Sequence, residues 1–293
     1  MGERKSATID LGDVTYHVVE AGSGPAIVLL HGWPQTWYAW RHVIDALAPR
    51  YRVIAPDLRG LGDTSHPTTG YDKATIGNDV VRLLDRLGVS SFDVAGHDWG
   101  GVVAYAIARD HPTRVRKFAV LDVAIPGDGD DGFSQGGKRW HHAFHRLDAL
   151  PEALTRGREE LYLRWFYDEW PVVQDALDAR AIAEYVRAYT KPDAMHYGFE
   201  YYRALTGDIE HNARRLREVG KLSTPALGLG GDGPWARGRD VGDSLRRVAS
   251  DVRDEVVPNC GHFMPEERPE HVARALEAFF SSSPVELRTP GAD

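Results

Sequence analysis

Cysteine is almost absent, with one thiol, Cys260, in 293 residues. A single cysteine excludes an internal disulfide and a thiolate-built metal site, and it suits a reducing compartment. Positive charge is also scarce. The chain sets 35 Lys and Arg against 43 Asp and Glu, a formal charge of -8, so the basic surface that nucleic acid needs is not expected. Nowhere do 18 uncharged apolar residues run together, and the opening MGERKSATIDLGDVTYHV carries no apolar stretch behind its charges. Neither a membrane span nor export is expected, which leaves the cytoplasm as the default location.

Hydrophobic residues make up 42% of the chain, enough at this length for one large core. Short apolar runs bounded by Gly, Pro and Asp alternate with helical spacing, the pattern of a mostly parallel sheet with crossover helices. The predicted strands are 27–30, 53–55, 92–95, 118–121, 226–229 and 252–257, with 8–20 alternating like one strand of an antiparallel hairpin. Residues 76–87, 102–109 and 269–280 have helical spacing, and a frayed tail is expected from 281. The pattern changes at 127. From there to 215 aromatic, His, Arg and Glu residues recur at helical spacing, and strand punctuation resumes at Thr224-Pro225. The expectation is an α/β core, 1–126 and 216–293, with a helical lid, 127–215, inserted between the sixth and seventh strands and hinged at the Gly- and Asp-rich 127–137.

The strongest chemical signal is FDVAGHDWGG, 92–101, a strand running into Gly96-x-Asp98-x-Gly100 and then a helix. This is a nucleophile elbow, a strained turn that exposes one side chain at the carboxyl edge of the sheet. The central residue is Asp98. A carboxylate needs no base to activate it and suits displacement at saturated carbon, whereas acyl transfer needs a hydroxyl with a base beside it. The plainer alternative is an N-capping Asp in a Gly-rich turn. His31-Gly32-Trp33-Pro34 follows an earlier strand, where the backbone N–H of Trp33, with that of Trp99, can form an oxyanion hole.

His262 directly follows the last predicted strand and is the candidate base. Two acids could orient it, Asp122 after 118–121 and Asp232 after 226–229, and the order Asp98, acid, His262 suits either. In the lid, His141 and the pair Tyr201-Tyr202 could protonate an alkoxide leaving group, although the residues alone favour the plainer account, aromatic packing of a helical lid.

HGWPQTWYAW, APDLRGLGDTS, GHDWGG and NCGHFMPEE together resemble the epoxide hydrolase and haloalkane dehalogenase branch of the α/β-hydrolase superfamily, over essentially the whole chain. The likeness extends to bacterial epoxide hydrolases of the Cif type through Trp140-His141 and FEYYRAL, 199–205. The resemblance implies an eight-stranded, mostly parallel sheet with helices on both faces and a helical cap. In that group the acid lies 24 residues beyond the nucleophile, which selects Asp122 over Asp232. The ring-opening pair maps onto His141 and Tyr202, and Trp140, His142, Tyr201 and Phe263 are candidate pocket residues. Asp122 departs from the Glu of that subgroup.

The reaction so implied is attack of Asp98 on an epoxide, giving an alkyl ester that water activated by His262 and Asp122 hydrolyses to a vicinal diol. No metal or organic cofactor is required, and the expected partners are a small-molecule epoxide and water, with the chain a monomer or homodimer. The rival is a haloalkane dehalogenase using the same three residues, with Trp99 and Trp140 as halide contacts. A haloacetate substrate is less favoured, because those relatives place Arg directly after the nucleophile, where this chain has Trp99. A non-catalytic small-molecule receptor is the remote alternative.

Overall fold

The apolar run Ala26–Leu30 demands burial on both sides, because a strand turns successive side chains to opposite faces. The protein, a computed structural model that describes residues 3–282, meets that demand. Val28 and Leu30 join one hydrophobic cluster while Ile27 and Leu29 join another. The same alternation separates Ile54 from Val53 and Ala55, and Phe118 and Val120 from Ala119 and Leu121. The sheet is therefore covered on both faces.

Its eight strands are β1 (Lys5–Asp10), β2 (Thr15–Ala21), β3 (Ala26–Leu30), β4 (Arg52–Pro56), β5 (Phe92–His97), β6 (Val115–Leu121), β7 (Ala226–Gly231) and β8 (Val252–Val257). They lie in the order β1-β2-β4-β3-β5-β6-β7-β8. Only the β1–β2 and β2–β4 pairings are antiparallel. The alternating segment 8–20 is not one strand. It straddles β1 and β2, which a turn joins at Gly12, where Leu11 N–H donates to the Val14 carbonyl at 2.9 Å.

Helices α1 (Arg41–Leu47), α2 (Lys73–Arg86) and α3 (Trp99–Asp110) fall between strands on the amino-terminal side of β6. Between β6 and β7 the chain makes a long helical excursion. It comprises α4 (Trp140–His145), α5 (Leu150–Thr155), α6 (Glu159–Glu169), α7 (Ala179–Tyr189), α8 (Ala194–Arg203) and α9 (Leu205–Val219), the last running past residue 215. The chain then continues through α10 (Asp240–Val248), α11 (Met264–Glu267) and α12 (Pro269–Ser281). Ser281, expected in a frayed tail, instead closes α12, and the rest of that tail from 283 lies outside the described residues. Among the described residues no helix is long and apolar enough to cross a membrane.

Candidate active site

The β5–α3 turn holds Asp98 at φ 52°, a left-handed backbone that costs a non-glycine residue energy. The turn can be this tight because Gly100 lacks a side chain, since a Cβ there would lie 2.2 Å from the Leu30 carbonyl oxygen. Asp98 stands at the N-cap position of α3, yet its side chain makes no capping bond. The plain N-cap reading therefore fails. The carboxylate turns instead toward the β3 loop, where Oδ1 accepts the Trp33 backbone N–H at 3.1 Å. Gly32 permits that approach, because a Cβ on it would fall 2.4 Å from Asp98 Oδ1. Burial raises the Asp98 carboxyl to about 6, with the Trp99 and Trp33 N–H groups acting in the opposite direction.

Asp98 Oδ2 faces the Nε2 of His262 at 3.8 Å, too far for a hydrogen bond, and that nitrogen has no other partner among the described residues. The opposite ring nitrogen, Nδ1, donates to Asp122 Oδ2 at 2.7 Å. Asp122 follows β6 at φ 51° and is pinned by two backbone donors on Oδ1, Arg237 N–H at 2.8 Å and Gly231 N–H at 3.1 Å. Burial and the Arg139 and Arg237 guanidiniums keep His262 neutral, well below the ordinary histidine range. The second acid candidate, Asp232, is elsewhere. It accepts the Cys260 N–H at 3.2 Å.

The helical excursion closes over these groups with aromatic rings. His141 on α4 lies parallel to the Trp33 indole at 6.4 Å, and Tyr202 on α8 meets Trp99 edge-on at 5.0 Å. Their two rings are 5.6 Å apart. Burial lowers the His141 imidazole and raises the Tyr202 phenol, which keeps both in neutral, donor-bearing forms.

Two expected pocket residues are not brought to the site. Trp140 is 39% exposed, because the α4 period that turns His141, His142 and His145 inward turns residue 140 outward, against Trp165 at 5.3 Å. Tyr201 is buried on a different side of α8 from Tyr202, with its hydroxyl donating to the Arg59 carbonyl at 2.7 Å. His142 and Phe263 do border the site, His142 between Phe133 at 5.2 Å and Tyr202 at 5.6 Å, and Phe263 beside the His262 ring at 5.2 Å.

Several residues at the site escaped the sequence reading. His97 bonds the His262 carbonyl through Nε2 at 2.7 Å, so that nitrogen carries its proton; burial lowers this imidazole to about 3. His145, one turn after His141, packs 4.4 Å from Tyr202, and Trp170 stands edge-on to His262 at 4.8 Å. Arg139 and Arg237 are buried, and among the described residues neither has a carboxylate within ion-pair distance. The i, i+4 spacing of His141 and His145 was the one available signal for these. Three ligand-type atoms of His17, Asp57 and Asp63 also come within 4.8 Å of one another, but Asp63 is already paired with Arg187 and Lys191.

Comparison with known proteins places this geometry in context. Residues 25–269 match the family model described as alpha/beta hydrolase fold. The chain is 40% identical to a soluble epoxide hydrolase of Corynebacterium sp. (strain C12), over 90% of this chain and 93% of that protein. It is 30% identical to a fluoroacetate dehalogenase of Burkholderia sp, over 94% and 93%. Among solved structures, the epoxide hydrolase CorEH superposes with a TM-score of 0.87 at 37% identity, over 95% of this chain and 99% of that one.

Proposed function

The chain belongs to the alpha/beta hydrolase fold family, and we propose that it is an epoxide hydrolase working through an alkyl ester on Asp98. The observation that carries this reading is the division of labour between the two Asp98 oxygens. Oδ1 already sits in the N–H hole, bonded to Trp33, while Oδ2 is directed toward His262 and free to attack. Oδ2 forms a bond to one epoxide carbon as the ring C–O bond breaks. The departing oxygen takes a proton from Tyr202 or His141, both held in donor form by burial.

In the second half-reaction His262 Nε2 takes a proton from water, whose oxygen adds to the ester carbonyl carbon. Negative charge then collects on Oδ1, where the Trp33 and Trp99 N–H groups stabilise it. Collapse expels the Oδ2 alkoxide, which takes the proton from His262 to complete the vicinal diol. The carboxyl proton left on Asp98 returns to the Tyr202 or His141 donor, restoring the carboxylate and the neutral donor pair. Asp122 holds the Nδ1–H tautomer throughout, so that the lone pair stays on Nε2. Residues 127–215 act as the cap that supplies the donors and excludes bulk water.

The halide pocket of the rival reading keeps only one of its two expected contacts, Trp99, whose indole N–H is buried without a partner among the described residues. Trp140, the second expected halide contact, is at the surface. The Trp33 indole nitrogen lies against Gly198 of α8, where a Cβ would be 2.7 Å from it. Trp99 also occupies the position at which a haloacetate enzyme carries its clamping Arg. We assign the enzyme to the cytoplasm on its single, buried cysteine, which suits a reducing compartment. A steady-state panel of aryl epoxides and haloalkanes tests the reading. Diol formation from epoxides is expected, and halide release with no diol from any epoxide would overturn it.

A further inference from the structure

Glu267 on α11 is 4% exposed and makes no ion pair among the described residues. Its carboxylate is instead saturated by four backbone N–H groups. Three of the four fall on one oxygen: Oε2 accepts Val172 at 2.7 Å, Gly261 at 2.8 Å and Val173 at 3.1 Å, while Oε1 accepts Phe263 at 3.0 Å. Gly261 and Phe263 are the residues on either side of His262. Val172 and Val173 belong to the segment that leaves α6, just beyond Trp170, whose ring stands on the His262 imidazole.

The two segments are pressed together at this point. A Cβ on Gly261 would lie 2.3 Å from the Trp170 carbonyl oxygen and 2.9 Å from the Val172 nitrogen, so only glycine allows the cap segment to approach. A carboxylate is the side chain suited to such a cluster, because it is acceptor-only with room for about four bonds. Glutamine would turn one oxygen into a donor and set it against a backbone N–H.

We propose that Glu267 is a positioning residue for the base, clamping the backbone on both sides of His262 and joining it to the cap segment 170–173. It touches no reacting atom. Its effect falls on the half-reaction that uses His262, the hydrolysis of the ester, and leaves the attack by Asp98 unchanged. The inference rests on the reading of His262 as the base.

The test is single-turnover kinetics of Glu267→Gln with an aryl epoxide, following the Asp98 adduct by intact mass. Adduct formation at the wild-type rate is expected, with hydrolysis slowed roughly tenfold to a hundredfold and the adduct accumulating, the size of effect a misplacement of about 1 Å produces. A residue that merely supports the fold would slow both steps by the same factor, and that outcome overturns the proposal, as does hydrolysis at the wild-type rate. If Glu267→Gln fails to fold, Val172→Pro removes one cap-side donor and is read by the same two rates. Failure of the base reading itself looks different, because then His262→Gln would form the adduct and hydrolyse it at the wild-type rate instead of accumulating it.

Discussion

Asp122→Asn separates the orienting role of this residue from its bulk, since asparagine has nearly the same shape. The two backbone donors that pin Oδ1, Arg237 and Gly231 N–H, require an acceptor there, so the amide oxygen takes that place. The amide NH2 then faces His262 Nδ1, 2.7 Å away in the native arrangement. Two donors cannot face each other, so Nδ1 must give up its proton, which moves to Nε2. That is the nitrogen 3.8 Å from Asp98, and with a proton on it His262 cannot accept another from water. The hydrolysis step is expected to fall roughly 10³- to 10⁴-fold, about 4 to 5.5 kcal/mol in barrier. Adduct formation, which needs no base, should stay within about tenfold of wild type. Rapid-quench measurement of both steps is the assay. Hydrolysis within tenfold of wild type would refute the tautomer argument.

Further outcomes follow from the same geometry. Because burial raises Asp98 to about 6, the rate of adduct formation should climb with pH through about 6, and His262→Gln should retain that acid limb. The raised carboxyl binds its proton more tightly in the folded state, so the fold is favoured at low pH and penalised as pH rises through about 6. Asp98→Asn should therefore stabilise the protein by about 2–3 kcal/mol at pH 8 and by little at pH 4, as read by denaturant melts at both pH values. Tyr202→Phe should slow adduct formation by roughly 10²-fold while an adduct once formed hydrolyses at the normal rate, since His141 remains as the other donor. A single turnover in ¹⁸O-water should place the label on Asp98 and leave the diol unlabelled, because the oxygen first transferred to the product is Oδ2.

Much of the site was legible because its parts lie at strand ends, where sequence neighbours are spatially constrained. Asp98, Gly32, Asp122 and His262 each follow a strand of the parallel sheet, and the register of that sheet carries them to one edge. The cap offered no such frame. Trp140 and His141 are adjacent in sequence yet face opposite ways, and Tyr201 and Tyr202 separate in the same manner, because their directions depend on which side of α4 and α8 meets the core. Glu267 was hidden for another reason. Its partners are backbone N–H groups, which leave no mark in side-chain spacing. Helices α1 and α10 escaped notice because they are short, and Gly242 interrupts the second. The 8–20 segment misled because both arms of the hairpin alternate, Ile9 and Leu11 before the turn and Val14, Tyr16 and Val18 after it, and the one-residue phase shift at Gly12-Asp13 is the only mark of the turn.

The covalent carboxylate intermediate is most directly tested by intact mass spectrometry of His262→Gln after incubation with an aryl epoxide. Only the second half-reaction needs the base. The expected result is a stable species heavier by the full mass of the epoxide, mapping to Asp98 on digestion and absent from the Asp98→Asn, His262→Gln double variant. An unmodified protein after prolonged incubation, under conditions where the wild type turns the epoxide over, would contradict the mechanism.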